Sequence, residues 1–480
     1  MRAPRWGRPS RSDGAKQNRR ALLTGSVQSR TDIEPKEELM DKTNARMARV
    51  SVRTATSTTR LRACLLPALA ALALPCLAQA DAVTDWNTIT WRTAASAGAP
   101  PIQTRINAIA HLAIHDALNS IDRRYQTYAM THATSPGASP EAAIAAAAYV
   151  TLSTTVPAKA AEIEASYLAF IGGLSCPQAY PECVEDGIDV GVAAADAVLA
   201  LRENDGSATP HAPYSEPELP GVYQPYPSAQ VPAFGNWSKV RPFALNHGAQ
   251  FRPGPSPLLD LGSATYAQEF QEVQTVGSAS ARAAAPNSME TITALYWAGG
   301  AANYNVIAQK VAAGRGLDMW QHARLFALVN MAQADAAIAV FDAKYHYKFW
   351  RPVTAIHASG NTDWESFLAN PPYPDYTSGI SILAGSASEA MRRFFGTDEL
   401  PYSLTAAGID RSFARLSQAE HEAAMSRVYA GIHFRTACLD GIRQGNAIGH
   451  YVFRHYLKPL TPVTPFDAYD PRNNNPLQLM

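Results

Sequence analysis

Cysteine is scarce, with five in 480 residues, and charge is sparse, with Asp, Glu, Lys and Arg at 17% and the two signs equal. No G-x-G-x-x-G turn, Walker loop, H-E-x-x-H helix, EF-hand loop or G-x-S-x-G elbow occurs. Dinucleotide binding, P-loop phosphate transfer, zincin chemistry, EF-hand calcium and α/β-hydrolase catalysis are left without their sequence basis. No internal repeat is evident. Beyond the first 80 residues no run reads as long and apolar enough to span a bilayer. Three cysteines lie there, and none has a His at ligand spacing, which disfavours a metal site. Cys176 and Cys183 flank six residues and are expected to pair as a disulfide in an exported chain, leaving Cys438 over.

The first 80 residues differ from the rest. Residues 1–46 are basic and polar, with little apolar periodicity, and read as disordered or as an unused upstream extension. Residues 47–80 read as a signal peptide: Arg49, Arg53, Arg60 and Arg62, an apolar run from Ala63 to Leu77, then Ala78-Gln79-Ala80 before a cut at Asp81. The expected location is periplasmic or secreted. Residues 1–80 hold 15 of the 41 basic and 6 of the 41 acidic residues. The remainder carries 26 against 35, a formal charge of −9. That excess of acid disfavours nucleic acid and anionic lipid as partners. A small molecule or oxyanion is the expected partner; oligomeric state is not legible.

What is present is mostly helical periodicity. Residues 105–121 read as a buried helix, with His111 and His115 on one face as a packed core pair. Further helices are expected over 140–152, 158–171, 186–201, 263–275 and 289–312. A long central helix is expected from an Asp318 cap as far as Trp350. From 206 to 257 Pro recurs among Tyr, Phe and Trp, which suits an ordered loop wrapping the helices, or a linker between two helical halves.

Three stretches carry the chemistry. Lys344 and Arg351 lie seven positions apart, two helical turns, just before Pro352. Continued helix would put both on one face, where a point charge and a guanidinium fork suit a multiply charged oxyanion. Tyr376-Thr377-Ser378-Gly379-Ile380 follows the run Pro371-Pro-Tyr-Pro374 and is expected to open a helix, whose free amides attract anions. Ser426-Arg427 then precedes Gly431-Ile432-His433, where a glycine turn leads to a His that would open the next helix.

In this order the three stretches resemble the signature K-x6-R-P, P-S-G-H, S-R-x5-H-x3-D of the vanadium-dependent haloperoxidases and type-2 phosphatidic acid phosphatases. The wording Trp350-Arg-Pro-Val-Thr-Ala-Ile356 is similar to the soluble bacterial branch. The likeness runs from about Trp86 to Leu457, with the signature part over 340–457 of a helical domain expected from 81 to 480. It implies an all-α fold of two packed bundles with the site between helices. It implies vanadate, or phosphate in the same place, held by Lys344, Arg351, Ser378, Gly379 and Arg427, with His433 as axial ligand. Hydrogen peroxide would be co-substrate for halide oxidation. Acid phosphatase action through a phosphorylated His433 is the alternative.

Two positions depart from the signature. Ile380 stands where the family carries its acid–base His, and Ala437 where an Asp would orient His433. Asp440 lies on the same helical face but one turn too far. Three readings stay open: an active variant with His357, Asp375 or Ser381 standing in; chemistry needing less proton transfer; or a non-catalytic oxyanion-binding protein. His357 is notable because relatives usually carry Arg there.

Overall fold

The computed structural model describes residues 81–131, 135–211 and 213–461. The expected upstream extension and signal peptide lie outside them. Five helices come first: α1 (Ala82–Ala95), α2 (Pro100–Ile121), α3 (Pro140–Thr155), α4 (Ala160–Ile171) and α5 (Cys183–Arg202). After the Pro-rich loop follow α6 (Ala264–Val276), α7 (Ala279–Ala284), α8 (Met289–Tyr296), α9 (Tyr304–Ala312) and the long α10 (Met319–Tyr347). Then come α11 (Pro352–Ala358), α12 (Gly379–Phe395), the hairpin β1 (Tyr402–Ala406) and β2 (Ile409–Phe413), α13 (Leu416–Tyr429) and α14 (Arg435–His455). The all-α reading holds; the hairpin is a small antiparallel addition.

The central helix α10 is long and apolar enough to cross a membrane by composition, contrary to the reading that no such run follows the leader. It is instead enclosed by protein on nearly all sides, its Ala, Leu, Val and Phe positions buried around the whole circumference. Helix α2 packs on one side of it and α12 and α14 on the other, so α10 joins two bundles. Asp318 caps it through a capping box with Gln321.

Three expectations need correction. Helix α10 stops at Tyr347, not Trp350, because Lys348 turns left-handed with φ 51°. Arg351 therefore does not share a helix with Lys344; it is the N-cap residue of α11. The helix expected over 289–312 is two helices, broken where Gly300 takes φ 100°. Helix α14 opens at Arg435, two residues beyond His433.

The Pro-rich stretch is a wrapping loop. Asp335 on α10, fully buried, accepts the amides of Phe243, Ala244 and Leu245 at 2.6–2.8 Å. Farther along, Tyr223 N donates to Lys348 O and Trp350 N to Gly221 O. The loop is thus fastened to α10 and to the segment that follows it. Cys176 and Cys183 are bonded, with Cα atoms 5.6 Å apart, and Cys438 is a buried free thiol.

Helices α12 and α14 meet backbone to backbone. A Cβ on Gly441, Gly445 or Gly449 would fall against the carbonyls of Ser378, Ile382 and Ser386, each four residues apart. Gly385 lies equally close to Ile442 O. Only glycine permits this approach. It fixes the first residue of α12 relative to the segment that carries His433.

Candidate oxyanion site

Local structure brings the three stretches together. Lys344, in the last turn of α10, reaches the carbonyls of Pro374 and Asp375 at 2.8 and 2.9 Å. Arg351 donates Nε to Tyr373 O at 2.9 Å and Nη1 to Ile432 O at 2.7 Å. Its Nη1 also lies 3.3 Å from His433 Nε2. Both cations face the Tyr373 ring, 5.0 and 5.3 Å from its centre. Convergence therefore comes from carbonyls of the 373–375 segment, not from a common helix face. Lys344, Arg351, Ser378 and His433 are all buried.

Arg427, in the last turn of α13, is half-buried, yet its Nε and Nη2 are closed to solvent without a hydrogen-bond partner. A buried guanidinium edge left open asks for an acceptor. Ser378 is the N-cap residue of α12, but its side chain does not cap the helix; its Oγ receives a bond from Ser381 Oγ at 3.0 Å. The first amides of α12 are consequently uncapped. Around Gly379 the space is open: a Cβ built there would meet nothing within 4 Å.

Electrostatics point the same way. Burial, then the neighbouring Arg351, holds Lys344 well below the ordinary lysine value. Burial likewise lowers Arg427. His433 is pushed well below the usual histidine value by burial, with Arg351, Lys344 and Arg427 adding to it, so its ring is neutral. The Asp375 carboxyl, buried and only partly stabilised by Arg351 and Lys344, rises to about 7. Three crowded cations with one reluctant carboxylate leave a local positive excess that an incoming anion would relieve.

The remaining candidates fall as follows. Asp375 Oδ1 lies 2.7 Å from His433 Nδ1, a close contact whose alignment falls short of a hydrogen bond's. Asp440 accepts from Tyr376 Oη at 2.6 Å instead of serving His433. The His357 ring is held by Trp364 O at 2.7 Å and packs edge-on to Tyr226; neither is part of the cradle. Ile380 is half-buried on the first turn of α12. His111 and His115 are core residues, His111 stacked on Phe326 and His115 beside Asp116. Sequence reading missed Tyr373 as the ring over the two cations; its position inside the Pro-rich run was the available signal. A cavity of about 690 Å³ lined by Arg392, Glu420, Leu439, His450 and Tyr451 lies elsewhere and includes none of the cradle residues.

These features define a class: a mostly helical protein with buried cations close to the residues that open a helix. Residues 324–462 match the VCPO second helical-bundle domain. It is similar to a vanadium chloroperoxidase of Curvularia inaequalis, 26% identical across 36% of this chain. That match spans only about a third (34%) of the curated relative's length. Among solved structures it is similar to a bacterial vanadium-dependent iodoperoxidase, at 25% identity and TM-score 0.69, covering 79% of this chain and 98% of that one. A holo-type bacterial vanadium-dependent chloroperoxidase shares the fold at TM-score 0.60 and 19% identity, covering 79% and 93%.

Proposed function

We propose that this chain is an exported, vanadate-dependent haloperoxidase-like protein, periplasmic or secreted, acting on small molecules. The observation that carries the reading is the buried, unpartnered Arg427 edge, which acts on the same His433 and Tyr373 as Arg351. The donor set fits the group. Lys344, Arg351 and Arg427 supply charge, Ser378 a hydroxyl, and the Gly379 amide a backbone donor beside open space. His433, neutral at ordinary pH, offers a ring nitrogen as ligand. When bound, vanadate would act as the Lewis acid that activates hydrogen peroxide toward a halide. The protein's part is to neutralise the oxyanion's charge, hold its orientation through fixed donors and keep His433 Nε2 unprotonated.

Iodide is the first halide to test, because the iodoperoxidase relative is matched over nearly its whole length. One observation favours a second reading, an oxyanion-binding protein without turnover: Ile380 cannot move a proton. The test is peroxide-dependent iodide and bromide oxidation with and without vanadate, beside a generic phosphomonoester assay and a vanadate-binding isotherm. We expect vanadate-dependent iodide oxidation, and Arg427→Ala weakening vanadate binding by about 10–100-fold, the worth of a charge-assisted hydrogen bond. Vanadate binding without oxidation of either halide or hydrolysis would favour the second reading. Hydrolysis alone would favour a phosphatase, and no binding would overturn both vanadate readings.

A further inference from the structure

The family's orienting Asp, four residues beyond the axial-position His, is Ala437 here, fully buried among apolar side chains. His433 Nδ1 still lies beside a carboxylate, but one from another segment: Asp375 Oδ1 at 2.7 Å, in a contact not aligned as a hydrogen bond. Neither atom makes a well-aligned hydrogen bond among the described residues, and the Phe434 amide is the other group acting on the carboxyl. The roles of the two ring nitrogens follow from the other side of the ring. Arg351 Nη1, 3.3 Å from Nε2, can only donate. Nε2 therefore carries the lone pair, Nδ1 carries the proton, and the group facing Nδ1 must accept it.

We infer that Asp375 is the positioning residue of His433, fixing its ring orientation and the Nδ1–H tautomer that frees Nε2 for an oxyanion. The inference deepens the proposed function and rests on it for what Nε2 binds. A second acceptor, the backbone carbonyl of Asp375, also faces the ring, but it already accepts from Lys344 Nζ at 2.9 Å. The side chain also faces the Phe434 amide, but a carboxylate has lone pairs left to accept from the ring. A carboxylate in the loop before α12 would thus do what the signature places on α14, coupling His433 to the segment that also ends in Ser378 and Gly379. It acts through His433 and is not itself a catalytic residue.

The full chain, 15N-labelled at histidine, is compared as wild type, Asp375→Asn and Asp375→Ala, with His433→Gln to assign the signal. Two readouts are taken: the tautomer of His433 without oxyanion, and the dissociation constant for vanadate. We expect the Nδ1–H tautomer in wild type and largely in Asp375→Asn, whose amide oxygen can still accept. In Asp375→Ala we expect a shift toward Nε2–H and vanadate binding weakened by about 10-fold or more, the size of effect that an outer partner of a ligating His typically has. Circular dichroism on both variants reports folding, and the isosteric Asn variant keeps the test valid where Ala disrupts the core. A folded Asp375→Ala protein that keeps the Nδ1–H tautomer would overturn the inference in favour of the backbone carbonyl. An Asp375→Asn protein in which the Nε2–H form predominates would overturn it too. Wild type that fails to bind vanadate would overturn the functional reading instead, and the tautomer comparison would still decide the role of Asp375.

Discussion

At the scale of single residues, the proposed site pairs buried cations with an Ile at the position where the resemblance implies a proton carrier. Ile380 lies on the first turn of α12, one residue beyond the open space at Gly379. A His there would stand over the cradle without replacing any of its donors. Ile380→His should therefore raise turnover by at least about 10-fold, since a positioned acid–base group contributes about 10²–10⁴. Vanadate affinity should stay within about 3-fold, because the change acts in the transition state. Steady-state kinetics beside a binding isotherm check this; tight binding with no gain in rate would place the deficit elsewhere. The second departure does not invite the same repair. Ala437 is packed with Phe434, Trp350 and Val273, and an Asp there would bury a carboxylate among apolar neighbours. Lys344, Arg351, Arg427 and His433 were legible because their spacing along the chain is fixed. Asp375 was legible only as a candidate proton carrier. Its contact with His433 joins residues 58 positions apart, and no local pattern encodes such a pairing.

At the scale of elements, helix starts and stops were readable where caps are chemical, as at Asp318, and less so where backbone geometry decides. Nothing in the run Tyr347-Lys348-Phe349 announces a left-handed Lys348, so continuing α10 to Trp350 was the natural extrapolation, and it misplaced Arg351. The Pro-rich loop shows the same division. Its aromatics indicated packing, but its anchor is one carboxylate on a distant helix. Asp335 takes three loop amides at 2.6–2.8 Å, and Asp116 does the same for Tyr128, Ala129 and Met130. Removing Asp335 leaves buried amides without acceptors. Asp335→Ala should cost about 3–5 kcal/mol in chemical denaturation, and Asp335→Asn less, as it keeps one acceptor oxygen. Equal loss in the two variants would show that charge, not the number of acceptors, fastens the loop.

At the scale of the whole molecule, the expected cut falls at a residue built into the fold. Asp81 forms a capping box with Thr84 at the start of α1, and its carboxylate lies 2.6 Å from His322 Nδ1 on α10. Cleavage one residue later would remove both the cap and that contact. The export proposal therefore predicts a mature chain whose N-terminal sequence begins at Asp81, and one that keeps residues 47–80 would contradict the signal-peptide reading. The glycine contacts between α12 and α14 have a consequence of another kind. They work like the notches of an indexing wheel. Sliding α14 by one to three residues would drive side chains into carbonyls, so the next possible seat is a whole four-residue step away, about 6 Å. Gradual retuning of the cradle by helix sliding is closed to this protein. Small adjustments in what it accepts are left to individual side chains and to the loop, and the helix pair itself either stays in its notch or comes apart as a unit.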